Sequence, residues 1–244
     1  MYDLVIRNGT VVDGTGLPSY RADIGVSGDR IAAIGRIKDS GKQEIDATGH
    51  VVTPGFIDGH THMDAQVFWD PLGSCSCWHG VTSVIMGNCG FTLAPGSAKQ
   101  REMIVANLVR AEDISLDAME AAIKWDWTSF REYMDVVDKL PKTINYAAQI
   151  GHSALRTHVM GKRAFEAKAT ADDLGAMEHE LLDALDAGAI GFTSSPPTAH
   201  KLPEPDNRPV ASNNASWEEL SSLVCTMGST GRGGLTGLFM GNTA

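Results

Sequence analysis

The pattern of the chain changes at Pro54-Gly55, and this change limits its possible folds more than any other feature. Beyond it, short apolar stretches alternate with capped amphipathic ones, the signature of a parallel sheet with right-handed crossovers. The strand-like stretches are residues 55–62, 83–89, 144–151, 189–195 and 235–239. Between them, Thr170 and Asp173 predict a capping box; Leu174, Met177, Leu181 and Leu185 then recur on one helical face, and Gly188 marks the stop. Ser216 and Glu219 predict a second capping box, followed by Leu220, Leu223 and Met227, with Gly228 at the stop. Residues 91–142 exceed the needs of one crossover and read as a helical insertion, with helices around 101–110, 116–123 and 130–140.

The residues before Pro54 read differently. Turn dipeptides Asn8-Gly9, Gly28-Asp29 and Gly49-His50 separate short apolar pairs, which predicts hairpins and a small antiparallel sheet. The expected organisation is residues 1–54 as one piece of a small β domain and residues 55–244 as α/β. A closed eight-stranded α/β barrel takes about 250 residues, and ~200 at the minimum. From Gly55 onward 190 residues and five strands are present. The alternatives are a smaller open sheet or a barrel whose later strands are missing. Because Leu235-Thr236-Gly237-Leu238-Phe239-Met240 reads as a strand entering a core, an incomplete barrel is the expectation.

Composition removes several function classes. The net charge is −10 and there is no basic run, which disfavours nucleic acid and anionic membranes as partners. No stretch approaches the roughly 18 apolar residues of a membrane span. The opening Met1-Tyr2-Asp3-Leu4-Val5-Ile6-Arg7 lacks the pattern of an export signal. With four cysteines, a reducing, cytoplasmic setting is expected.

Chemistry concentrates in Pro54-Gly55-Phe56-Ile57-Asp58-Gly59-His60-Thr61-His62. Side chains alternate along a strand, so His60 and His62 are expected to face the same way and to share a divalent cation. Two unrelated polar histidines are the bland reading; the apolar lead-in and Pro-Gly entry favour the metal. Asp58 is expected one step deeper, as a partner of the ligands rather than a ligand. Cys89 closes the next strand, in Met86-Gly87-Asn88-Cys89-Gly90. A lone buried cysteine usually behaves as a small hydrophobe; beside a histidine pair, zinc ligation is the better reading. Cys75 and Cys77 fall on a helix and read as packing. His152 is expected near the site rim, and His200 in a loop over the site as a substrate contact. His158 and His179 read as surface groups.

The runs His60-Thr61-His62-Met63-Asp64-Ala65-Gln66, Cys77-Trp78-His79-Gly80-Val81-Thr82, Met86-Gly87-Asn88-Cys89-Gly90, Gly151-His152-Ser153-Ala154-Leu155-Arg156 and Ala187 to Ser195 together resemble the D-aminoacylase branch of the amidohydrolase superfamily, over essentially the whole chain. The resemblance implies a TIM-like (β/α)8 barrel and a small β-sandwich built from both chain ends. It implies zinc held by Cys89 with two histidines from later strands, and His60 and His62 as the paired ligands. Asp58, Asp64, His152 and His200 are candidate supporting or substrate-contacting residues. The family's general acid–base aspartate is expected beyond residue 244, which leaves this fragment without activity of its own. The implied reaction is hydrolysis of the amide bond of N-acyl-D-amino acids, with a small-molecule substrate. Stereochemistry rests on the resemblance alone. The fourth strand, 189–195, contains no lysine to bridge two metals, which disfavours hydantoinase-like relatives. A dipeptidase or lactam hydrolase on the same scaffold, or a non-catalytic remnant, remain the alternatives.

Overall fold

The computed structural model describes residues 1–112, 114–195, 200–232 and 234–235. The chain divides into two compact units, Met1–Phe56 and Ile57–Ala244.

The first unit is a five-stranded mixed sheet in which β1 (Tyr2–Val11), β2 (Tyr20–Ser27), β3 (Arg30–Gly35) and β4 (Gly41–Asp46) run in the order β3-β2-β1-β4, and β5 (Val51–Val52) also pairs with β1. Val5, Val11, Ile24 and Ala47 are buried. Two sequence expectations are corrected. Asn8-Gly9 is not a hairpin turn, because β1 runs straight through it with a register break between Ile6 and Gly9. Asn8 sits there with φ 61° while its N–H donates to Asp23 Oδ1 at 2.9 Å, a bulge that any turn-forming dipeptide can also make. The sheet is also not wholly antiparallel, since β4 and β5 both pair with β1 in parallel. Gly28-Asp29 does turn the chain, between β2 and β3.

The second array is α/β. Its strands are β6 (Phe56–Asp58), β7 (Val81–Met86), β8 (Asn145–Ala148), β9 (Ile150–Gly151), β10 (Gly191–Thr193) and β11 (Gly234–Leu235). They form two three-stranded sheets, β6-β7-β8 and β11-β10-β9. β8 and β9 are one strand interrupted at Gln149, whose N–H donates to Met86 O at 3.0 Å, while Ile190 donates to Ala148 O at 2.9 Å. The neighbours β7–β8, β9–β10 and β10–β11 are parallel. The strand expected over 55–62 is three residues long, so His60 and His62 lie past its end. The strand expected over 235–239 falls beyond the described residues after Leu235.

Among the described residues, helices α1 (Met63–Gln66), α2 (Ser74–Cys77), α3 (Arg101–Glu112), α4 (Leu116–Ala122), α5 (Phe130–Asp138), α6 (His152–Met160), α7 (Ala171–Asp186) and α8 (Trp217–Ser229) fill the crossovers. The segment 91–142 contains α3, α4 and α5. α7 begins at the capping box of Thr170 and Asp173, buries Met177, Leu181, Ala184 and Leu185 on one face, and is followed by Gly188 at φ 106°. Each of the larger of these side chains contributes about 1.5–3 kcal/mol of transfer free energy. At α8 the expected reciprocal box does not form: Ser216 accepts the Glu219 N–H, but the Glu219 side chain turns into the core. None of the described helices is long and apolar enough to cross a membrane.

Candidate metal centre

The strand ends carry the chemistry. Thr61, between the two histidines, donates through both its N–H and its hydroxyl to Ile85 O of β7, at 3.0 and 2.8 Å. Buried Asn88 donates to Thr61 O and Ile85 O and accepts from Gln149 Nε2. The His60-Thr61-His62 segment is thereby tied to β7 although it belongs to no strand. Asp58 accepts the His60 N–H at 3.2 Å. It bonds to the backbone of the histidine segment, not to an imidazole.

The turn after β7 is tightly wound. Gly87, Cys89 and Gly90 have φ of 86°, 54° and 78°. For Cys89 this left-handed conformation costs about 1–2 kcal/mol. A Cβ at Gly87 would stand 2.3 Å from Gln149 O, so the turn passes directly over the neighbouring strand. Buried Asp64, at the start of α1, accepts the Gly87 N–H at 2.9 Å. Thr193 Oγ1 accepts the Gly90 N–H at 3.0 Å and donates to Gly87 O. Ser195 Oγ donates to Cys89 O.

These constraints bring three donors together. One ligand atom each of His60, His62 and Cys89 lie within 4.8 Å of one another, the one such metal-competent group among the described residues. Cys89 Sγ is 3.5 Å from His60 Nε2, and the two imidazole rings are 5.3 Å apart. Burial, with His60 and His200 adding to it, pushes His62 down to about 4, which keeps a nitrogen lone pair available at neutral pH. Two imidazole nitrogens and one sulfur form a donor set suited to zinc, so the residues fit the metal that the sequence implies.

His200 lies at the edge of this group. Its ring stands 5.0 Å from Phe91, which is itself 6.2 Å from His62, and burial lowers its pKa. Its Nδ1 is 2.9 Å from Ser195 Oγ. The Ser195 proton goes to Cys89 O, so His200 Nδ1–H is the donor in this pair. His152 departs from the sequence reading. It is fully buried, with Nε2 2.9 Å from Glu219 Oε1 and Nδ1 2.9 Å from Ser194 Oγ. Arg156, also fully buried, pairs with both Glu219 oxygens and donates to Ala167 O. His152 therefore sits in a sealed charged cluster and does not line a rim. His158 contacts Glu180 and Gln100 and is half-buried, and His179 is exposed on α7. Cys75 and Cys77 lie on α2 as free thiols. β10 contains no lysine; Lys201 is exposed, in an isolated bridge with Pro209. Sequence reasoning misses Thr61, Asn88, Thr193, Ser195, Arg156 and Glu219 as parts of the site. Thr61 and Asn88 adjoin the proposed ligands in their motifs, and the others are recognisable only through partners distant in the chain.

Residues 43–238 match the Amidohydrolase family. The chain is 36% identical over 207 residues to a D-aminoacylase from Alcaligenes xylosoxydans xylosoxydans, an alignment covering 83% of this chain and 40% of that protein. A crystal structure of D-aminoacylase superposes with TM-score 0.77 at 33% identity, covering 96% of this chain and 44% of the other. The zinc and phosphonate complex of N-acyl-D-glutamate deacylase from Bordetella bronchiseptica gives TM-score 0.78 at 32% identity, covering 95% and 44%. The chain thus spans less than half the length of these proteins.

Proposed function

The chain belongs to the amidohydrolase family, in its D-aminoacylase branch, and from that premise we propose that it supplies part of a zinc-dependent hydrolase that cleaves N-acyl-D-amino acids into a carboxylate and a free D-amino acid. One observation carries this reading: His60, His62 and Cys89 converge from two adjacent strand ends into one donor group. In the proposal, β6 to β11 are the first strands of an eight-stranded barrel. The site then lies at the strand ends, where catalytic residues of such barrels collect. The sheet of residues 1–54 is then part of a small sandwich.

Zinc bound there would polarise the amide carbonyl and lower the pKa of water, the two contributions such a metal makes to hydrolysis. The chain's own residues prepare the site. Burial holds His62 neutral, and Thr61 and Asn88 fix the segment that presents both imidazoles. Asp58 fixes the His60 backbone. Phe91 forms an apolar wall between His62 and His200, which limits water on that side. His200, with Nδ1 committed to Ser195, keeps Nε2 as an acceptor toward substrate. The chain covers 40% of the D-aminoacylase it matches, so activity is assigned to a protein of the relatives' full length.

The test compares paired N-acetyl-D- and N-acetyl-L-amino acids on the zinc-loaded full-length enzyme. A strong preference for the D series is expected. Equal or reversed preference would remove the D-aminoacylase reading and favour a dipeptidase or lactam hydrolase. No hydrolysis of any C–N bond would favour a binding remnant.

A further inference from the structure

Cys89 reaches His60 from a backbone conformation that a non-glycine residue adopts only when its surroundings enforce it. The surroundings are specific. Three consecutive hydroxyl residues, Thr193-Ser194-Ser195, lie alongside the turn at the end of β10. Thr193 holds it at two points, accepting from Gly90 N–H and donating to Gly87 O, on either side of the cysteine. Ser195 holds the carbonyl of Cys89 itself. The backbone of Ser194 and Ser195 leaves no slack: a Cβ at Gly90 would stand 3.3 Å from both Ser194 Cα and Ser195 N.

Ser194 faces the opposite way. Its hydroxyl meets His152 Nδ1, and His152 Nε2 meets Glu219, which Arg156 neutralises; His152 and Arg156 have no exposure. Burial favours the neutral ring. His152 Nε2–H therefore donates to the carboxylate, and Nδ1 accepts the Ser194 proton. The hydroxyl run is fixed from behind by a charged cluster and grips the cysteine turn in front.

We infer that Thr193 and Ser195 are positioning residues for the metal centre: they hold the strained turn so that the Cys89 sulfur meets His60 and His62, with Ser194 and the His152–Glu219–Arg156 cluster as their anchor. This rests on the reading of His60, His62 and Cys89 as metal ligands. Neither residue belongs to the candidate donor group. Thr193 acts through the backbone of Gly87 and Gly90, and Ser195 through that of Cys89.

The test is cobalt(II) titration of the full-length protein, because a thiolate bound to cobalt gives a sulfur-to-metal charge-transfer band, which Cys89→Ser should abolish although Cys75, Cys77 and Cys225 remain as free thiols. Thr193→Val and Ser195→Ala should each weaken cobalt binding by about 10- to 100-fold, the usual cost of losing a partner that orients a ligand, and should shift or weaken the band. Thr193→Ser and Ser195→Thr, which restore a hydroxyl, should recover both. Ser153→Ala is the control, since it removes an equally buried hydroxyl, bonded to Ser212. It should lower the unfolding midpoint without moving the band or the affinity. Unchanged band and affinity in Thr193→Val and Ser195→Ala would overturn the positioning role. So would equal changes in Ser153→Ala, which would mark a general packing effect. Absence of the band in the wild-type protein would instead remove the metal-centre reading, and the positioning role with it.

Discussion

Cys89 Sγ stands 3.5 Å from His60 Nε2, although 29 residues separate the two in sequence. Neither residue sits in a strand. His60 follows β6, held by Asp58 and by the anchoring of Thr61 to Ile85. Cys89 follows β7 in a left-handed turn. The pairing of β6 with β7 sets the distance between them, and the loops set the directions.

The close approach of that turn to its neighbours makes specific glycines indispensable. A Cβ on Gly151 would lie 2.6 Å from the Gly90 carbonyl carbon and oxygen. Gly151→Ala should cost about 1–3 kcal/mol, as overpacking does. Gly175, inside α7, has open space where a Cβ would stand and should behave oppositely: Gly175→Ala should stabilise by about 0.5–1 kcal/mol. Urea unfolding of both variants checks the pair. Equal effects would contradict the packing described.

The buried cluster of α6 and α8 should be costly to break. Burial works to raise the Glu219 carboxyl, and its bonds to His152 and Arg156 outweigh this, so the group is held below its ordinary range. Glu219→Gln leaves Arg156 charged and unpaired, which should cost about 3–5 kcal/mol. Replacing the pair with apolar residues, Arg156→Met with Glu219→Leu, should cost less than the single change. A Glu219→Gln loss below ~1 kcal/mol by urea unfolding would contradict the sealed ion pair.

Metal-free protein should lose stability on mild acidification. Burial holds folded His62 at about 4, against about 6.5 in an unfolded chain. Between these values the unfolded state binds more protons, so stability is full above pH ~6.5 and declines toward pH ~4. Burial lowers His152 and His200 as well, so they act in the same direction. His62→Asn should therefore flatten the slope without removing it. A pH-independent unfolding midpoint across this window in the metal-free wild type would contradict the burial of His62.

Local chemistry is legible in the sequence where the deciding partners lie close in the chain. The Thr170–Asp173 box and the stripe of α7 follow from short motifs within one element. What stays hidden is decided at long range. Asn8-Gly9 has the composition of a hairpin turn, but Asp23 and two parallel partners keep it in β1. Glu219 has the spacing of a capping residue, but His152, 67 positions away, draws it inward. That same pairing removes His152 from the rim. Strand alternation predicts the convergence of the histidine pair for the wrong reason; the strand ends at Asp58, and Thr61 does the positioning instead.

X-ray absorption at the zinc edge of the zinc-loaded protein tests the central assignment most directly, by counting sulfur and nitrogen ligands. One sulfur at about 2.3 Å with nitrogen or oxygen at about 2.0–2.1 Å is expected, with the sulfur shell lost in Cys89→Ser and the zinc content reduced in His60→Ala and His62→Ala. A spectrum without sulfur in the wild type, or one unchanged in Cys89→Ser, would contradict the assignment.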